Sequence, residues 1–81
     1  MMVIAIDFDG TAEKFPGKVR ALYNERDNFI VIYTARPEKM RNETRNQLIE
    51  LDIPYHALVM GKMRADVYVD DHNCGGLSWP I

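Results

Sequence analysis

Val3-Ile4-Ala5-Ile6-Asp7-Phe8-Asp9-Gly10-Thr11 is an apolar run that ends in two carboxylates and a turn glycine. Four consecutive apolar residues are long enough for a buried strand, and the first acid stands where that strand should end. Asp7 and Asp9 are two residues apart, so in extended backbone their side chains share one face. Two acids held together repel each other unless a cation or a proton intervenes. In open α/β sheets the carboxyl end of the strands is where ligands bind. The plainer reading of the stretch is a strand followed by an acidic turn.

Working outward, Asp66-Val67-Tyr68-Val69-Asp70-Asp71 repeats the arrangement, a β-branched and aromatic strand expected from Ala65 to Val69 with carboxylates at its end. Between the two lie Phe29-Ile30-Val31-Ile32-Tyr33-Thr34, a strand ending in a hydroxyl, and Ala57-Leu58-Val59-Met60, a short strand followed by Gly61-Lys62. Val19, Leu22 and Tyr23 fall at i, i+3 and i+4 and predict a helix of roughly two turns, ended by Asp27-Asn28. Met40, Thr44, Leu48 and Leu51 form one stripe, and Pro37 suits a helix first turn, so a second helix is predicted from about Pro37 to Leu51, stopped by Ile53-Pro54. Strands alternating with helices imply right-handed crossovers and a parallel sheet.

The 81 residues make one small domain, 1–81, without repeat, low-complexity tract or linker. An apolar share of 47% with 27% charged residues suits a soluble globule. No apolar run approaches the roughly 20 residues needed to span a bilayer, and no signal peptide is expected, since Asp7 interrupts the first apolar stretch and no small-residue cleavage site follows. A net charge of −2 gives no general drive toward nucleic acid. The single cysteine, Cys74, cannot form an internal disulfide, which makes a reducing cytoplasm the natural setting. The terminal Leu77-Ser78-Trp79-Pro80-Ile81 is apolar enough to be expected over a face or edge of the sheet.

The ordered set DxDGT (Asp7 to Thr11), Thr34, Lys62 and Asp70-Asp71, each at or just beyond a strand's end, resembles the four motifs of the haloacid dehalogenase-like phosphohydrolase superfamily. Tyr33-Thr34-Ala35-Arg36, Met60-Gly61-Lys62 and the acidic pair followed by Gly75-Gly76 are similar to its small capless members. The resemblance implies a minimal three-layer, Rossmann-like α/β fold with about four parallel strands in the order 3-2-1-4 and no cap domain. It also implies a Mg²⁺-dependent phosphatase working through an aspartyl-phosphate. Asp7 would be the nucleophile and Asp9 the acid/base. Asp7, the Asp9 backbone carbonyl and Asp70 would hold Mg²⁺, with Asp71 acting from behind these ligands or through water. Gly10, Thr11, Thr34, Ala35, Arg36 and Lys62 would meet the substrate's phosphate. All these donors are hard oxygens, and His56 and His72 lack a zinc-type spacing.

Plainer roles stand beside several of these. Asp71 also reads as a turn residue or helix cap, His72 as an exposed loop residue, and Arg36 as a surface ion-pair former. The segment after Thr11 is short, so the flap over the site is expected to be stunted, and two sheet edges leave room for a homo-oligomer. The partner expected is a phosphorylated small molecule or the phosphorylated end of a larger one. Two other classes remain as alternatives: a non-catalytic module that binds metal or phosphate, and a phospho-receiver-like signalling domain. In the latter the acidic pair follows the first strand, whereas here it comes last.

Overall fold

Runs that are apolar at every position suit strands buried on both faces, and such strands pair in parallel with helices as crossovers. The computed structural model describes residues 1–61 and the backbone of residues 67–69. Within these, β1 (Met2–Asp7), α1 (Pro16–Asn24), β2 (Asn28–Thr34), α2 (Arg41–Glu50), β3 (Ala57–Met60) and β4 (Val67–Val69) follow one another. All strand pairs are parallel, and the sheet order is β3-β2-β1-β4. The central β1 carries Ile4, Ala5 and Ile6, none of them more than 1% exposed.

Ile4 and Ile6 of β1 and Ile30 and Ile32 of β2 form one face of the sheet, packed with Val19 and Leu22 of α1, Leu48 of α2, Ile53 and Leu58. The steps from β1 to β2 and from β2 to β3 run the same way across the sheet, which carries both helices to one face. Ala5 and Val31, of the opposite parity, are also buried. The described helices and sheet make two layers; the expected third layer, the beginning of the fourth strand at Ala65-Asp66, and the Trp79 segment lie outside the described residues. No helix among the described residues is long and apolar enough to cross a membrane.

The single helix predicted over Pro37–Leu51 is a correction. Pro37 is extended (φ −67°, ψ 157°), and Met40 N–H donates to Pro37 O (2.9 Å), so a short 3₁₀ turn over Glu38–Met40 precedes α2. Met40 itself (φ −95°, ψ 10°) departs from helical geometry, and regular α-helix begins only at Arg41. Arg41 donates through Nη1 to Leu58 O (3.0 Å), tying the start of α2 to β3, and pairs with Glu38. The hydrogen bond from Arg41 holds the Glu38 carboxyl below its ordinary range. At the other end Asp52 takes a left-handed conformation (φ 56°), and Ile53 N–H reaches back to Leu48 O (3.0 Å), a Schellman-type stop. Arg20 of α1 donates to the freed Asp52 carbonyl (2.9 Å), joining the two helices.

At the amino end of the sheet, His56 substitutes a side chain for a strand residue. Its N–H donates to Ile30 O (2.8 Å), and its ring Nδ1 accepts from Ile30 N–H (2.9 Å). The imidazole is stacked on Tyr23 and Phe29, with ring centroids 4.6 Å and 5.0 Å away. Replacing it leaves the N–H of the fully buried Ile30 without its acceptor. His56→Ala is therefore expected to cost about 1–3 kcal/mol, the penalty for an orphaned donor. Urea denaturation measures this, and a midpoint equal to wild type would show that the ring is not the acceptor in solution.

Candidate functional site

The register places the motif residues at one end of the sheet. Asp7 ends β1 level with Tyr33, and Thr34 ends β2 level with Met60 of β3. Gly61 N–H then donates to Thr34 O (2.5 Å), so the chain leaving β3 is pinned beside the end of β2. Gly61 takes φ 117°, a conformation that side chains with a Cβ rarely adopt.

The backbone is extended at Asp7 (φ −64°, ψ 138°), the last residue of β1, and again at Asp9 (φ −71°, ψ 119°), then reverses at Gly10 (φ 83°, ψ −6°). The alternation drives Phe8 into the core, 1% exposed, and leaves Asp9 outside it. Asp7 is half-buried. Gly10 supplies the positive φ that closes the turn, and its N–H donates to Glu13 Oε1 (2.7 Å). Thr11 is buried, and its Oγ1 has no hydrogen-bond partner among the described residues.

Asp9 is held by a fork. Arg36 Nη2 donates to Asp9 Oδ1 (2.6 Å) and Arg36 Nε to Asp9 Oδ2 (3.2 Å), a bidentate charge-assisted pair. The Thr34 hydroxyl donates to Asp9 Oδ2 (3.0 Å) and accepts from Arg36 N–H (3.1 Å). The far edge of the guanidinium is fixed by α2: Nη1 donates to Thr44 Oγ1 (3.1 Å) and Gln47 Oε1 (2.6 Å). Thr44 passes its own proton to Met40 O (2.9 Å). Beneath, the Phe8 ring lies 5.1 Å from the guanidinium carbon. The Arg36 side chain is only 18% exposed, against 48% for Asp9.

Of the residues singled out in the sequence, Asp9, Thr34 and Arg36 are brought into one network, and Asp7 stands at the same sheet end. Ala35 is exposed in the loop between Thr34 and Arg36. Two expected phosphate contacts are engaged within the chain, the Gly10 N–H by Glu13 and the Thr34 hydroxyl proton by Asp9. Lys62, Asp70 and Asp71, with His72 and Cys74, lie outside the described residues. Phe8, Glu13, Thr44 and Gln47 are participants that sequence reasoning missed. Thr44 carried the one available signal, a polar residue in the apolar stripe of α2.

Among the described residues no group of three or more His, Cys, Asp or Glu side chains is placed to hold a metal. Two of the four expected ligands fall outside that set. The donors inside it are the Asp7 carboxylate and the Asp9 carbonyl, hard oxygens that fit Mg²⁺. With its carboxylate turned to Arg36, Asp9 keeps its backbone carbonyl as the donor the resemblance implies. Compared with protein-family models, curated proteins and solved structures, the chain has no match.

Proposed function

We propose that the chain is a phosphomonoesterase of the haloacid dehalogenase-like kind, a minimal member without a cap, with a sheet ordered 3-2-1-4. One observation carries the reading: Asp7, Asp9 and Thr34 meet at the carboxyl ends of two adjacent parallel strands, with Asp9 and Thr34 in direct hydrogen bond. Only Phe8–Phe15 separates β1 from α1, a connection too short to hold an inserted domain.

A carboxylate oxygen of Asp7 attacks phosphorus in line, and the bond to the leaving oxygen breaks as Asp9 gives that oxygen its proton. Water then attacks the acyl-phosphate with Asp9 taking its proton, which releases inorganic phosphate and restores Asp7. Asp9 must be able to change protonation state between the two steps, whereas Asp7 must remain ionised. Thr34, once its proton turns from Asp9 to the substrate, and Lys62 offset the phosphoryl charge. Mg²⁺ held by Asp7, the Asp9 carbonyl, Asp70 and Asp71 would supply charge neutralisation at the phosphate. An open site of this kind takes a phosphorylated small molecule or the phosphorylated end of a larger one.

The test is phosphate release from an aryl phosphate, sugar phosphates, nucleotides and a terminally phosphorylated oligonucleotide, with and without millimolar Mg²⁺. Metal-dependent release from at least one is expected. Mg²⁺ is also expected to raise the melting temperature by binding the folded form, and Asp70→Asn to lose most of that response. A thermal response without release from any substrate would replace the enzyme with a binding module.

A further inference from the structure

Four of the five side-chain N–H donors of Arg36 are engaged by described residues of the chain. Two go to Asp9 in a fork, and Nη1 bridges to Thr44 and Gln47 on α2. Its face lies over Phe8, and its backbone N–H is given to the same Thr34 hydroxyl that reaches Asp9. A guanidinium held on three sides is a fixed template rather than a mobile surface charge. Its orientation is set by α2 and passed to the carboxylate of Asp9.

Resting on the phosphatase reading, we infer that Arg36 is a positioning residue for Asp9, not a contact of the substrate phosphate. The chain of support runs from Thr44 and Gln47 through Arg36 to Asp9, so the aim of the acid/base is governed by a helix that has no residue of its own in the motif set. When the Thr34 hydroxyl turns to the substrate, Oδ2 is left to carry the acid proton while Oδ1 stays on Arg36 Nη2, so the carboxyl has one well-defined orientation when the leaving oxygen arrives. Without Arg36 the half-exposed Asp9 is free to adopt other rotamers, and fewer encounters are productive.

This separates positioning from binding by a double-mutant cycle. Arg36→Gln is expected to lower kcat on an alkyl phosphate by about tenfold to a hundredfold, within the roughly 10² to 10⁴-fold that general acid catalysis supplies. The loss should be smaller on an activated aryl phosphate, whose leaving group needs little protonation, and KM should be unchanged on both. In an Asp9→Asn background the same substitution should cost nothing more. In the metal-free protein the Arg36 Nε–H should give an exchange-protected NMR signal that disappears in Asp9→Asn.

Equal losses on both substrates carried in KM, or full additivity with Asp9→Asn, would assign Arg36 to the substrate and overturn the inference. An active wild type with an unaffected Arg36→Gln overturns it while leaving the phosphatase reading intact; an inactive wild type overturns both. Should Arg36→Gln not fold, Gln47→Leu removes a single support from the far side. It is expected to show the same leaving-group dependence at smaller size, and wild-type kcat on the alkyl phosphate would equally overturn the inference.

Discussion

Asp7→Asn is expected to abolish phosphate release from every substrate the wild type accepts. The substitution preserves shape and removes the attacking oxygen's charge, so no acyl-phosphate forms and no choice of leaving group rescues the reaction. The contrast with Asp9→Asn is diagnostic. Losing the acid/base costs about 10² to 10⁴-fold and least on an aryl phosphate, whereas losing the nucleophile costs everything on all of them. Fluoroberyllate, which mimics an acyl-phosphate, is expected to be trapped by wild type and not by Asp7→Asn. The variant's fold is checked by its unfolding midpoint. Turnover comparable to wild type in a folded Asp7→Asn protein would end both the covalent mechanism and the functional proposal.

Phe8→Ala is expected to produce the largest loss of stability of any single truncation near the site. The ring is 1% exposed, sits in the main core cluster and lies under the Arg36 guanidinium. Truncating a buried phenylalanine costs about 3–5 kcal/mol, the transfer term plus the cavity it leaves. Small domains have only about 5–15 kcal/mol in total, and this chain buries less of its surface than a larger one would. Phe8→Leu, which keeps most of the volume, should lose much less. Urea denaturation of the pair is the measurement, and an Ala variant with the wild-type midpoint would mean that the residue between the two acids is not a core residue in solution.

The strands were legible because burial on both faces writes itself as unbroken apolar runs. Val3–Ile6, Phe29–Thr34 and Ala57–Met60 each fall within an observed strand. The site end was legible too, since Asp7 and Thr34 occupy strand termini that any parallel sheet would align. What escaped was decided by contacts between residues distant in sequence. The fork of Arg36 on Asp9 spans 27 positions, and nothing local to Tyr33-Thr34-Ala35-Arg36 distinguishes it from a surface arginine. The break before α2 escaped for a different reason. Pro37 fits either the first turn of an α-helix or the extended residue before a 3₁₀ turn, and the apolar stripe running through Met40 does not report backbone hydrogen bonding.

The His56 ring lies at the opposite end of the sheet from the acids, yet it acts as a ruler for them. A parallel edge strand can slide past its neighbour in steps of two residues and still present the same faces. Sliding β3 along β2 would take the imidazole away from the Ile30 N–H and out from between Tyr23 and Phe29. It would also shift Gly61 along the carbonyl edge of Thr34 by about 6–7 Å, two residues at ~3.3 Å each. The length of β3, four residues from Ala57 to Met60, is thus a fixed spacer between an aromatic clasp and Gly61 beside the end of β2. An insertion or deletion in that strand would break either the His56 contact with Ile30 or the Gly61 hydrogen bond to Thr34 even if every motif residue were kept, so chains built on this plan should tolerate substitutions in β3 far better than changes in its length.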